Sequence, residues 1–214
     1  MIIAIVLAAG ESTRMKSDKS GNQLKQLLPF GNKTILASVL QTLLYSKVDK
    51  FVVVLGYQAN QIKKEIKKHK KIELVQNKYY KLGMLSSIKC GVRNAHKLFQ
   101  KKPRSNKPDG ILICLGDQPF IHPKIIAKLL AKFYKSPYGI FIPVYRKKRG
   151  HPILIRAAYC NEILRIPLEK GLRYLIQTYS SDILEIPVRS SLILKDIDTP
   201  EEYQKAVRKY GKKR

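Results

Sequence analysis

The chain is poor in acid. Its 214 residues carry 15 Asp+Glu against 42 Lys+Arg, a formal net charge of +27. Cysteine is scarce too: Cys90, Cys114 and Cys160 lie far apart and form no CxxC pair. That excludes a disulfide framework and suits small thiols in a reducing cytosol. No apolar run reaches the ~20 residues needed to cross a bilayer, so no membrane partner is expected. Met1 to Gly10 is apolar, but no basic segment precedes it and Glu11 to Arg14 follow without a cleavage signal. It reads as a buried strand rather than a secretory leader, and the expected location is cytoplasmic. There is no internal repeat and no low-complexity linker. Two phosphate-binding fingerprints are also missing. GxxxxGK[ST] does not occur, and one glycine follows the first strand where the dinucleotide motif needs three.

The hydrophobic fraction, 44%, is enough to build a core. The length fits a single domain over residues 1–210 with a basic tail at 211–214, as a monomer or weak homodimer. A charge of +27 attracts polyanions. However, it is spread over helix faces (Lys63, Lys64, Lys67, Lys68, Lys70, Lys71) and the tail (Lys212, Lys213, Arg214), with no interleaved aromatics. That pattern fits a solvated surface better than a nucleic-acid stripe. A non-catalytic, basic nucleic-acid-binding protein stays open as the reading from another class.

Short aliphatic runs alternate with helical periodicity. Strands are predicted at Ile2 to Leu7, Phe51 to Leu55, Glu73 to Gln76, Ile111 to Leu115 and Gly139 to Val144, with late strands at Ile183 to Val188 and Leu192 to Leu194. Helices are predicted at Thr34 to Ser46, Ala59 to His69, Leu85 to Gln100 and Lys124 to Tyr134, and a last one is capped by Thr199 with Pro200 and Glu202. Lys101 to Asp109 reads as a polar loop. Pro152 to Ile155, Asn161 to Arg165 and Leu172 to Thr178 read as a small β/α insert. The order implies an α/β fold: a Rossmann-like, three-layer αβα arrangement around a mostly parallel twisted sheet. Ligands of such sheets bind beyond the carboxyl ends of the strands.

Chemistry-bearing residues gather at those ends. After the first strand comes LAAGESTRM. Small residues bring the backbone close to a ligand, and free N–H groups can cradle phosphate. Ser12 and Thr13 add hydroxyls, and Arg14 adds a guanidinium fork. The same stretch also fits an ordinary strand-to-loop turn. Lys25 precedes the apolar Leu27-Leu28-Pro29 anchor, which would fix a point charge near a triphosphate. Asp117 lies just past a buried strand, and Asp196 and Asp198 face one way if extended. Such carboxylates suit Mg²⁺ or Mn²⁺, and they also suit helix caps and Asx turns.

The order LAAGESTRM, KQLLPFG, QNKYYKLGMLSSIKCG, LGDQP, RGHP, DIDTPEEY resembles the molybdenum-cofactor cytidylyltransferases within the MobA-like NTP transferases. The resemblance runs from about residue 3 to 205. It implies that Leu7, Ala8, Ala9, Gly10, Ser12, Thr13 and Arg14 hold the nucleotide together with Lys25. Asn77, Gly83, Met84, Ser86 and Ser87 would hold the nucleoside, and Gly150, His151 and Pro152 the acceptor. His151 also fits a packing or turn role. Asp117 and Asp198, with Asp196, would hold Mg²⁺ or Mn²⁺, and Arg14, Lys25 and Asp117 would carry catalysis. The implied reaction moves a nucleoside monophosphate from an NTP, CTP by preference, to a phosphorylated acceptor of molybdopterin type. Another small phosphate, an isoprenoid precursor or a sugar phosphate, is the alternative acceptor. The chain departs from the family where Lys16 replaces a glycine and Ser17 to Leu24 delay Lys25, so Lys16 and Lys19 are candidates to share its role.

Overall fold

The computed structural model describes residues 1–15, 24–101 and 107–211. Lys16, Lys19, residues 17–23 of the insert, residues 102–106 of the polar loop and the tail residues 212–214 lie outside the described residues. The elements in chain order are β1 (Ile2–Ala8), β2 (Pro29–Phe30), β3 (Lys33–Thr34), α1 (Ile35–Leu44), β4 (Lys50–Leu55), α2 (Ala59–Glu65), β5 (Ile72–Gln76) and α3 (Met84–Lys101). They continue with β6 (Gly110–Leu115), α4 (Pro123–Lys135), β7 (Ile140–Tyr145), β8 (Lys148–Arg149), β9 (Ile153–Arg156), α5 (Cys160–Arg165), α6 (Arg173–Thr178), β10 (Ile183–Pro187) and α7 (Pro200–Ala206).

The main sheet runs β10-β7-β9-β6-β1-β4-β5, with β8 on β7. β1 lies at its heart, parallel to both neighbours, with Ile5 opposite Val52 and Ile113. Alternation on β1 sorts the core. Ile2, Ala4, Val6 and Ala8 pack with α1, α2 and α4, while Ile3 and Ile5 pack with α3, α5 and α6. Both faces are dry, which is why β1 reads as an unbroken aliphatic run. The α/β, three-layer, mostly parallel arrangement is the one the sequence implies. Among the described residues no helix is long and apolar enough to cross a membrane.

Three expectations are corrected. The strand expected at Pro152 to Ile155 is β9, Ile153–Arg156, and does not belong to an appended insert. β9 lies inside the main sheet, antiparallel between β6 and β7, because Ile153, Leu154 and Ile155 are apolar and buried on both faces. The helix from Ala59 ends at Glu65 rather than His69. Continuing it would stack Lys63 on Lys67 and Lys64 on Lys68, and like charges four apart are destabilising. Leu192 to Leu194 form a 3₁₀ turn (Ser191–Leu194) rather than a strand, started by the Ser190 hydroxyl accepting from Leu192 N.

A third apolar cluster sits under the strand ends. Met15, Leu28, Phe30, Ile35, Phe120, Ile197 and Ala206 pack together, with Tyr203 and Tyr210 against them. The Phe120 ring lies 5.8 Å from Phe30 and 5.1 Å from Tyr210. The Tyr203 hydroxyl donates to Pro29 O at 2.7 Å. This cluster ties the segments that carry Arg14, Lys25, Asp117 and Asp198 to one base. The last helix joins it through the expected capping box, Thr199 with Glu202.

Candidate active site

The tips of β1, β4 and β6 approach closely. Gly116 N donates to Leu7 O at 2.9 Å, and Tyr57 N donates to Ala9 O at 3.1 Å. A Cβ on Gly116 would stand 2.6 Å from Leu7 O, and one on Gly56 2.6 Å from Ala9 O. Only glycine permits that spacing. Among the described residues a Cβ on Gly10 would meet nothing within 4 Å, which leaves the Gly10 backbone uncovered by them. Ser12 takes a left-handed turn, φ 54°. Its hydroxyl accepts from Lys25 N at 3.2 Å and donates to Gln26 Oε1 at 3.3 Å. Ser12 thus clamps the loop to the lysine segment.

A cavity of about 340 Å³ opens here. From the expected nucleotide set it is lined by Leu7, Ala9, Gly10, Ser12, Thr13, Arg14, Lys25, Gly83, Met84 and Ser87, and Asp117, Asp196 and Asp198 close one side. The Lys25 ammonium donates to Asp117 Oδ2 at 2.7 Å and to Asp198 Oδ1 at 2.7 Å. Arg14 Nη1 reaches Asp198 Oδ2 at 2.8 Å. The Lys25 side chain is only 9% exposed, while that of Arg14 is 72% exposed. Burial alone would lower the Lys25 pKa, but Asp117 and Asp198 outweigh it and hold the ammonium above the ordinary lysine value. Burial, then the neighbouring Asp198, raises the Asp196 pKa.

Other expected residues lie outside the cavity wall. Ala8 points into the core, leaving its backbone to the strand end. Asn77 is buried and donates to the hydroxyls of Ser86 and Ser87 at 2.9 and 3.0 Å. It also accepts from Tyr79 N at 3.0 Å. Ser86 in turn donates to Tyr79 O and Gly83 O. Asn77 and Ser86 therefore brace the turn that presents Gly83, Met84 and Ser87. Gly150 N donates to Pro143 O and His151 N to Ile193 O. Pro152 faces a small apolar gap beside Thr42 and Gln118. None of Gly150, His151 and Pro152 lines this cavity, yet His151 lies near enough to feel the Asp117 charge. Burial lowers its pKa, and Asp117 offsets this only in part.

The cavity has residues the sequence did not single out: Glu11, Gln26, Tyr80 and Leu115. All four lie inside the quoted motifs but were given no role there; Glu11 is an acid where phosphate was expected. Among the described residues no three acidic, histidine or cysteine side chains converge as a metal set. Asp196 lines the cavity without joining Asp117 and Asp198.

A family model described as the MobA-like NTP transferase domain matches residues 4–183. The chain belongs to that family and is a nucleotidyltransferase. It is 24% identical over 209 residues to molybdenum cofactor cytidylyltransferase from Escherichia coli strain K12, covering 98% of this chain and 97% of that protein. It is similar to the crystal structure of Rv0371c from Mycobacterium tuberculosis H37Rv, with TM-score 0.76, 24% identity and 97% of each chain covered. Another structure of Rv0371c is a complex with manganese, with TM-score 0.73 at 24% identity, covering 97% of this chain and 98% of that one. A nucleotidyl transferase from Methanothermobacter, Mth528, has TM-score 0.76 at 20% identity, covering 98% and 97%. At these identities the solved structures show the fold. The family uses a nucleoside triphosphate and a phosphorylated acceptor, generally with a divalent metal.

Proposed function

We propose that the chain transfers CMP from CTP to a molybdopterin-type phosphorylated acceptor and releases pyrophosphate. The observation that carries the reading is the pairing of Asp117 and Asp198 around one cation, in a single cavity that the Gly10 backbone also lines. The preference for CTP rests on the LAAG start of the loop and on the full-length E. coli relative.

The carboxylates suit a hard divalent ion. Both touch one ammonium, so they are close enough to share a cation, and Asp117 Oδ1 is buried with no hydrogen-bond partner among the described residues. Mg²⁺ and Mn²⁺ take one or two carboxylates plus phosphate oxygens, so a third acid is not required. Asp117 and Asp198 would hold the ion. When bound it would polarise the α-phosphate and offset its charge.

The remaining work falls to the chain itself. Backbone N–H groups at Ala9 to Thr13 orient the triphosphate. Tyr80, Gly83, Met84 and Ser87, which line the same cavity, hold the nucleoside. The acceptor approaches from the side of Gly150, His151 and Pro152, where burial keeps His151 neutral near pH 7. An acceptor phosphate oxygen attacks the α-phosphorus in line, and the bond to pyrophosphate breaks. The nucleophile is already ionised, so no strong general base is needed. Arg14 and Lys25 stabilise charge on the leaving pyrophosphate, and losing such a contact costs about 3 kcal/mol of barrier, ~10²-fold in rate. Thermal shift with each of the four NTPs, with and without Mg²⁺ or Mn²⁺, tests the base. A selective rise with CTP is expected. An equal or larger rise with another NTP would overturn the choice of CTP.

A further inference from the structure

The charges at the cavity floor are already paired. Asp198 has both oxygens engaged, Oδ1 by Lys25 and Oδ2 by Arg14. Asp117 gives Oδ2 to Lys25 and keeps Oδ1 buried without a partner among the described residues. The ammonium therefore stands where the two carboxylates converge. An ion ligated by both would sit about 2.0–2.1 Å from their oxygens if it were Mg²⁺. That is inside the 2.7 Å contacts of the ammonium. Two cations cannot share that point.

The Lys25 backbone is anchored on both sides. Its N is held by the Ser12 hydroxyl, and its carbonyl accepts from Leu28 N at 3.2 Å. Leu24 and Leu28 on either side are buried. The side chain itself lines the cavity together with Gly10 to Arg14. A swing of the stem would carry the ammonium from the carboxylates to an anion lying on that loop.

We propose that Lys25 is an exchangeable counterion, which neutralises Asp117 and Asp198 until a metal–nucleotide complex arrives and then passes to the triphosphate as the metal takes the carboxylates. The inference rests on the nucleotidyltransferase reading of this cavity and adds an order to it. A metal alone must expel an ammonium that has no anion to receive it. A nucleotide alone meets a lysine committed elsewhere. Arriving together they exchange partners, and each charge stays paired. Metal and nucleotide therefore bind with positive coupling, and couplings between sites are typically about 5–150-fold.

The test is Mn²⁺ binding, followed by the EPR signal of free Mn²⁺, on the full chain with and without α,β-methylene-CTP. For the wild type we expect weak Mn²⁺ binding alone and at least ~10-fold tighter binding with the nucleotide analogue. Lys25→Met should bind Mn²⁺ alone at least ~10-fold more tightly than wild type, and the analogue should add less. Lys25→Gln should behave likewise if Met at this position unfolds the chain. Adding Asp117→Asn to either variant should abolish the gain. Lys63→Met, exposed on α2, controls for the general positive field and should change nothing. Lys25 variants that fold and bind Mn²⁺ no better than wild type would overturn the exchange. A wild type that takes up no Mn²⁺ even with nucleotide would instead sink the metal assignment itself.

Discussion

Gly56→Ala asks whether the β1 tip is the nucleotide cradle. Gly56 has an ordinary negative-φ backbone, so alanine adds sterics without strain. Its Cβ would stand 2.6 Å from Ala9 O, 2.7 Å from Tyr80 Cβ and 2.8 Å from Ala9 Cβ. Ordinary contact begins at 3.4 Å, so the Ala9 segment, the Tyr80 wall, or both must retreat by roughly 0.8 Å. Overpacking of this kind costs about 1–3 kcal/mol of stability. A chain of this size loses about 2–4 °C of Tm per kcal/mol. The larger effect is on chemistry, because a ~1 Å misplacement of a substrate-positioning group can cost ~10²-fold in rate. Pyrophosphate release and thermal melting, measured together, separate the two effects. Gly91→Ala is the contrast. There a Cβ would collide with the Ile5 side chain inside the α3–β1 layer, away from the cavity. It should lower Tm while leaving the kcat of the folded enzyme near wild type. A Gly56→Ala enzyme with wild-type kcat/KM would refute the placement of the nucleotide on the Ala9–Gly10 backbone.

Two further outcomes follow from the same contacts. Asn77→Ala removes a buried amide that bonds Ser86, Ser87 and Tyr79 N. Denaturant melts should show a loss of about 1–3 kcal/mol from the polar groups left unpaired, and a change under ~0.5 kcal/mol would remove the bracing role. His151 has its pKa lowered in the fold by burial. Unfolded chains therefore protonate it first, and its stabilising contribution is complete above the unfolded value, ~6.5, and is lost as pH falls through the folded one. Tm should drop more steeply between pH 7 and 5.5 in wild type than in His151→Asn. Equal slopes would mean that His151 does not resist protonation.

Much of the fold was legible because local pattern and tertiary role agreed. β1 is aliphatic at every position and is buried on both faces. Thr34 and Thr199 are caps by sequence and caps in the structure. Where the reading failed, a non-local term decided. The run Pro152 to Ile155 looked like part of an insert because chain order suggested one, but the apolar faces of Ile153–Arg156 drew that strand between β6 and β7. Alternation alone could not reveal a strand of opposite direction. The site was legible at the level of which segments converge, since strand ends mark it. The division of labour was not. That Asn77 and Ser86 brace while Ser87 faces the cavity depends on where one helix face points. That Lys25 and Arg14 face carboxylates depends on charges more than ninety residues away in sequence.

The most direct measurement is pyrophosphate release from CTP by the full chain, with Mg²⁺ or Mn²⁺ and a phosphorylated acceptor, for wild type and Asp117→Ala. The expected result is metal-dependent release by wild type and loss of at least ~10²-fold in the variant, with its Tm retained to within a few degrees. Equal turnover by a folded Asp117→Ala would contradict the placement of transfer chemistry at this cavity.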